Sequence, residues 1–481
     1  MITLLFPYIY KVKKQSYGVW FHPINMGVVY FPIEMSEQEV EKQLSESNCA
    51  AEWIVEKDFR YDQYISELLA ANDCYSIDFK TLKMFTTTRC NLDCSYCLIE
   101  KNLQKRSVHC KDLSLEDGLS VLKQFCDVAM QQKPSKKTIM LYGGEPMLNK
   151  DNVFEFIRYI RNKEKEGLFN GDVEIVLESN GTLITKEIAK FLKEHNVFII
   201  VSIDGIESVH DLYRKKKSGA GSYHEALNGF NMLIENGCLA VISSVFTDAY
   251  ADNISSCIGN MTDIIKPKSI GLNLFHVLEE QNIANDRTNE NYSKYIEAFE
   301  IARSKGLYIE HIMRRIRPLV DRKIRIKDCG ACGNRLVSDV DGNIGICEGL
   351  VGDSRYFSKR KDFSELKEDD VFIEWSKRTP FCISECERCP AIGICGAGCV
   401  SNAIQQNGNV FSPDNYICGS SKAFITWALE TWFNDNNIES AIKNEIHILT
   451  MDERQSLLGV LGTKFTIPLQ TMSKQYEIKG E

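Results

Sequence analysis

The chain has 481 residues, 44% of them hydrophobic and 26% charged, which is apolar material for a large core in two or three domains of ordinary globular composition. A formal net charge of −9 offers no basic face, so neither nucleic acid nor a membrane surface is expected as a partner. No apolar run reaches the length of a bilayer span, and "MITLLFPYIYKVKK" lacks the basic start and small-residue cleavage site of a secretion signal, so a cytoplasmic location is expected.

In chain order, residues 1–80 come first as a small α+β region. Two strand-like runs, "YGVWFHPI" and "GVVYFPI", precede a helix that starts near Ser36, where "SEQE" has the form of a capping box. Residues 81–300 then alternate short apolar runs with amphipathic stretches. The predicted strands are "LKMFTT" (82–87), "TIMLYG" (138–143), "VEIVLES" (173–179), "VFIIVSI" (197–203), "AVISSVF" (240–246) and "IGLNLF" (270–275). Between them lie helical patterns such as "LEDGLSVLKQFCDVAM" and "KEIAKFLKEH". Apolar strands with helical crossovers predict an α/β fold, a parallel sheet covered by helices and curled into an open barrel. In such sheets the chemistry sits on loops after the strands' C-terminal ends. Residues 301–328 bridge to a glycine- and cysteine-rich region at 329–420, and 421–481 read as a helical tail containing "FITWALETWF". The run "RKKK" (Arg214 to Lys217) reads by itself as a solvated loop.

Eighteen cysteines in a chain with no secretion signal point to metal binding rather than disulfides. Seven are scattered (Cys49, Cys74, Cys110, Cys126, Cys238, Cys257 and Cys382) and read as small core side chains. Cys90, Cys94 and Cys97 form C-x₃-C-x₂-C in the loop after the first strand. Three thiolates suit three corners of a [4Fe–4S] cube and leave one iron open. Zinc would need a fourth ligand, and the nearest candidates, His109 and Cys110, lie beyond a polar, basic stretch.

Further motifs follow the next strands: "GGEP" (Gly143 to Pro146), "SNGT" (Ser179 to Thr182), and "SIDG" (Ser202 to Gly205) followed by "HDLYR" (His210 to Arg214). Together with the cysteine loop, these resemble the radical S-adenosylmethionine (SAM) enzymes over roughly residues 82–276. The resemblance implies a partial (β/α)6 TIM-like barrel and a SAM molecule chelating the open iron through its amino and carboxylate groups. One electron from the cluster would then cleave SAM to a 5′-deoxyadenosyl radical that abstracts hydrogen, chemistry the cofactor supplies and the protein aims. It further implies SAM contacts from Tyr142, Gly143, Gly144, Glu145, Pro146, Glu178, Asn180, Ser202 and Arg214. Of these, Ser202 and Arg214 would hold the carboxylate, for which a guanidinium fork is suited. A flavodoxin- or ferredoxin-type electron donor is implied as a partner.

The C-terminal cysteines run Cys332, nine residues, Gly342, four residues, Cys347, then C-x₂-C-x₅-C-x₃-C over Cys386, Cys389, Cys395 and Cys399, and finally Cys418. This spacing resembles the SPASM extension of radical SAM enzymes, with Cys329 as an eighth cysteine; a pair of zinc knuckles is the alternative. By resemblance, Cys329, Cys332, Cys347 and Cys399 hold one auxiliary [4Fe–4S] cluster, and Cys386, Cys389, Cys395 and Cys418 hold another, three clusters in all. Fully ligated auxiliary clusters suit electron transfer, as an oxidative reaction requires. The resemblance therefore implies a peptide maturase that forms an oxidative cross-link, a C–C cyclophane or a thioether, in a ribosomally made precursor peptide. Residues 1–80 are loosely similar to a leader-peptide recognition element, with a plain cap on the barrel as the other reading. Two alternatives are carried: an anaerobic sulfatase-maturating, formylglycine-generating enzyme, and an iron–sulfur electron-transfer or cluster-carrier protein. The sulfatase-maturating branch has an aspartate base after the cysteine matching Cys347; this chain has Glu348, the candidate catalytic acid–base group.

Overall fold

The computed structural model describes residues 3–56, 58–105, 110–274, 285–359 and 362–464. Its centre is a run of six parallel strands: β1 (Thr81–Thr87), β2 (Lys137–Gly143), β3 (Val173–Ser179), β4 (Val197–Ser202), β5 (Leu239–Phe246) and β6 (Ser269–Leu274). Each pairs with the next in parallel register, for example Leu82 with Ile139 and Ile199 with Ala240. All six predicted strands are therefore present, with ends shifted by a residue; Phe275 lies outside the described residues.

The strands are continuous apolar runs because both faces are covered. Met140, Val176, Phe198 and Val241 pack together on the inner face. Helices Leu115–Met130, Lys150–Lys165, Lys186–Glu194 and Tyr223–Glu235 bury their apolar stripes on the other. The first of these begins at Ser114, whose side chain accepts from the Asp117 amide, a standard N-cap. The unbroken order of six βα units, with different strands at the two ends of the sheet, is that of a TIM-like wall left open.

Both ends of the sheet are extended. Tyr308–Ile309 adds in parallel to β6, and Arg335–Ser338, from the cysteine-rich region, adds in parallel to β1 with Arg335 opposite Thr81. Ile344–Gly345 and Phe357–Ser358 continue from there antiparallel. The cysteine-rich segment thus shares a hydrogen-bonded sheet with the barrel, which fixes Cys329, Cys332 and Cys347 relative to β1.

At the N-terminus, Tyr10–Lys13, Tyr17–Phe21 and Val28–Pro32 form an antiparallel sheet, followed by helices Glu37–Glu46, Ala50–Trp53 and Tyr61–Ala71. The expected capping box at Ser36 and Glu39 is formed in both directions. A fourth strand, His447–Ile448, comes from the far end of the chain and pairs with Tyr30 and Val29. The fully buried Arg454 anchors this return, donating to the carbonyls of Leu319 and Met26. The tail is helical only in part: Asn415–Asp435 is its one long helix among the described residues.

Candidate functional site: a cysteine loop at the barrel mouth

The loop after β1 is built from backbone constraints. Arg89 forms a two-pronged ion pair with Asp112 (2.9 and 2.5 Å) and donates to the Leu148 carbonyl. Leu92–Cys94 forms a short antiparallel strand with Arg214–Lys216, placing Arg214 opposite Cys94. The start of the basic run is therefore not a solvated loop: Arg214 is 8% exposed and part of the site. The Glu100 amide donates to the Cys97 sulfur at 3.3 Å. Burial pushes Cys90 up to about 11 and Cys94 up to about 12, with the neighbouring thiols of the loop adding to both. Burial raises Cys97 in the same way. As bare thiols these groups stay neutral; a positively charged metal centre is what would deprotonate them.

The motif after β2 fits against this loop with no space to spare. A Cβ on Gly143 would lie 2.1 Å from the Thr87 carbonyl oxygen, and one on Gly144 would lie 2.1 Å from that of Arg89. Gly143 also has φ +136°, open only to glycine. The amides of Gly144 and Glu145 donate to Thr87 (2.9 Å) and Arg89 (2.8 Å). The Glu145 carboxylate is fully buried, accepting from the Met147 amide (3.1 Å), the Ser179 hydroxyl (2.8 Å) and the Asn180 amide (2.7 Å). It ties the loop after β2 to the loop after β3, while Pro146 opens the turn Pro146–Asn149. Asn180 in turn donates to Asn91 Oδ1 (2.9 Å), within the cysteine loop.

Ser202 ends β4 beside Ser243 of β5. Two residues on, Asp204 is fully buried and accepts from Arg214 Nε (2.9 Å) and Nη2 (3.4 Å), the Val245 amide (3.0 Å) and the Tyr96 hydroxyl. The Arg214 guanidinium also lies 5.3 Å from the Tyr96 ring centre. Asp204 is therefore the anchor that aims Arg214, a role the sequence reading left unassigned although "SIDG" contains it.

Deeper in the barrel, Lys83 of β1 is buried and pairs with Glu178 of β3 and with Glu348, at 3.3 Å each, while its ammonium sits 3.7 Å over the Tyr142 ring. Arg335 pairs with Glu348 at 3.0 Å and donates to the Cys329 sulfur at 3.5 Å. Burial alone would raise the Glu348 carboxyl, but Arg335 and Lys83 outweigh it and hold it down at about 2. Glu348 is thus a fixed anion between two cations. Lys83 and Arg335 were missed from sequence; the available signal was a lone charge inside the apolar run "LKMFTT".

Burial and mutual charge raise C-terminal thiols. Burial, then the charge of Cys329, pushes Cys332 up to about 12, and Cys329 also raises Cys347 and Cys399. Burial, then Cys395 and Cys389, pushes Cys386 up to about 12; Cys395 rises to about 11, and Cys418 is raised by all three. Among the described residues, no three His, Cys, Asp or Glu side chains converge as the ligands of one metal ion; a cube takes its thiolates on separate irons. His109, weighed as a zinc ligand, lies outside the described residues, and Cys110 is exposed.

Residues 84–249 match the model of the Radical SAM superfamily. The chain is 23% identical over 364 residues to the radical SAM cyclopropyl synthase TigE of Paramaledivibacter caminithermalis, covering 73% of this chain and 74% of that protein. It is 26% identical over 374 residues to a cysteine-type anaerobic sulfatase-maturating enzyme of Clostridium novyi, covering 72% of this chain and 95% of that protein. The structure of Streptococcus suis SuiB bound to the precursor peptide SuiA aligns with TM-score 0.52 at 15% identity, over 87% of this chain and 100% of SuiB. That likeness is one of fold. No helix among the described residues is long and apolar enough to cross a membrane.

Proposed function

The chain carries a radical SAM domain, and from that premise we propose that it is a peptide maturase forming an oxidative intramolecular bond, C–C or thioether, in a ribosomally made precursor. The family implies a [4Fe–4S] cluster and SAM. We assign Cys90, Cys94 and Cys97 to that cluster and the two sets of four cysteines to auxiliary clusters. When bound, SAM and its cluster supply the hydrogen-abstracting radical. The residues of this chain do the rest. The loop around Gly143 and Gly144 brings backbone against the cysteine loop, Arg214, held by Asp204 through Nε and Nη2, offers the other edge of its guanidinium to a carboxylate, and Lys83, paired with Glu178, lies over the Tyr142 ring.

The observation that carries the peptide reading is the N-terminal sheet. One edge, Val28–Pro32, is taken by His447–Ile448, whereas Tyr10–Lys13 stands at the other edge with alternating exposure. An extended leader would add there as a further strand, with main-chain bonds for affinity and alternate side chains for selection. The fold shared with SuiB, a protein whose structure contains its precursor peptide, supports the same reading.

Formylglycine formation is the second reading, favoured by similarity to the sulfatase-maturating enzyme over 95% of its length. In either case Glu348, next to Cys347 and ionised between Lys83 and Arg335, is the proposed first acceptor of the proton lost on oxidation, a weak base that hands the proton on. The test is anaerobic incubation of the reconstituted protein with the short peptide encoded beside its gene. A product lighter by two hydrogens with no carbonyl-reactive group supports the cross-link; a hydrazide-reactive aldehyde transfers the assignment to formylglycine.

A further inference from the structure

We propose that Arg378 is a buried cation shared by the two auxiliary iron–sulfur sites, tuning both toward easier reduction. The proposal rests on the two-cluster assignment above and concerns a residue outside every motif.

Arg378 follows the helix Asp370–Ser376 and is 1% exposed. Its guanidinium donates to three carbonyls: Val410 (2.6 Å), Ala397 (2.6 Å) and Ser412 (2.9 Å). All three are neutral, and among the described residues it makes no ion pair with a carboxylate. A buried guanidinium with only dipoles around it costs several kcal/mol unless an anion lies near. The position of Ala397 indicates which anions those are. It is the middle residue of Cys395-Gly396-Ala397-Gly398-Cys399, and its own amide donates to the Cys395 sulfur at 3.4 Å.

That five-residue loop joins the two sets, because Cys395 belongs to one and Cys399 to the other. It is tightly wound: Gly396, Ala397 and Gly398 have φ of +61°, +67° and +64°. For Ala397 this left-handed conformation is unfavourable and must be held by its surroundings. The hydrogen bond from Arg378 to the Ala397 carbonyl is one such restraint, and it sets the guanidinium at the joint.

A thiolate-ligated cluster that accepts one electron gains one negative charge. A fixed cation in a dry interior stabilises that reduced form and raises the reduction potential. One cation felt by both sites raises both. Such a cation would favour the reduced form of any auxiliary cluster held there, as an electron acceptor for an oxidative reaction would need.

The test uses full-length protein in which Cys90, Cys94 and Cys97 are alanine, so that only the auxiliary sites carry iron. Arg378→Gln keeps amide donors and removes the charge; Arg378→Lys keeps the charge and gives up the fork. Iron content and EPR-monitored redox titration are read on each. With about eight irons retained, Arg378→Gln is expected to move both auxiliary midpoints to more negative potential, and Arg378→Lys to leave them near those of the parent. Midpoints unchanged in Arg378→Gln, or a shift in one signal alone, would overturn the proposal. So would loss of iron in both variants, which would make Arg378 a structural strut. Fewer than about eight irons in the parent itself would instead refute the two-cluster assignment.

Discussion

Replacing Gly144 by alanine should remove the catalytic cluster while sparing the rest of the molecule. The added methyl would lie 2.1 Å from the Arg89 carbonyl oxygen, 2.6 Å from its carbon and 3.1 Å from the Cys90 nitrogen. All are backbone atoms, so no side chain can turn away. Restoring ordinary contact requires the two loops to separate by about 1 Å, and such overpacking costs roughly 1–3 kcal/mol. The Gly144–Thr87 and Glu145–Arg89 hydrogen bonds, at 2.9 and 2.8 Å, would stretch as well, at about 1 kcal/mol each. The sum, roughly 3–5 kcal/mol, falls on the loop that carries Cys90 and corresponds to at least about a hundredfold loss of the intact arrangement. Anaerobically reconstituted Gly144→Ala should therefore hold about eight irons instead of about twelve. Its SAM cleavage, read as 5′-deoxyadenosine by chromatography, should fall at least about a hundredfold. Gly259, whose Cβ would meet nothing within 4 Å, is the control; Gly259→Ala should keep iron and activity. A Gly144→Ala protein with full iron and normal 5′-deoxyadenosine would refute the tight coupling of the two loops.

Three further outcomes are expected. Glu348→Gln should keep its iron and still release 5′-deoxyadenosine with peptide present, while cross-linked product falls at least about a hundredfold if this carboxylate takes the proton; unchanged product would leave it a purely structural link between Lys83 and Arg335. Asp204→Asn removes the counter-charge from buried Arg214 and should weaken SAM binding, measured by calorimetry, at least about tenfold with iron retained; unaltered affinity would separate Arg214 from the SAM carboxylate. Finally, burial holds His22 down at about 3 and His210 at about 4, against an ordinary 6.5. The unfolded chain therefore binds more protons below about pH 6.5, and stability is complete above that pH and falls on acidification. Each histidine removes about 1 kcal/mol between pH 6.5 and 5.5. Thermal melts should show this loss, and His210→Asn should reduce its slope; a melting temperature flat over that interval would contradict the buried neutral state of both rings.

Much of the barrel was legible because its strands are buried on both faces and read as apolar runs. The motif loops were legible because glycine, cysteine and proline at fixed spacing report backbone constraint. Long-range relations were not. Lys83, Glu178, Arg335 and Glu348 form one network from four separated segments, and nothing local marks them as partners. The two-residue strand His447–Ile448 is too short to carry a period, so its return to the N-terminal sheet could not be read. Arg214 shows the limit from the other side. Within "RKKK" its composition suggests solvent, whereas pairing opposite Cys94 and the Asp204 carboxylate bury it.

The most direct test of the central claim, that eleven cysteines of this chain hold three iron–sulfur cubes with one iron left for SAM, is quantitative iron and sulfide analysis with Mössbauer spectroscopy. It should be made on the wild-type protein and on the variant with Cys90, Cys94 and Cys97 replaced by alanine. The expected result is about twelve irons falling to about eight, all in [4Fe–4S] form, with SAM cleavage present in the first and absent in the second. Stoichiometric zinc, or an iron content that the three substitutions leave unchanged, would contradict it.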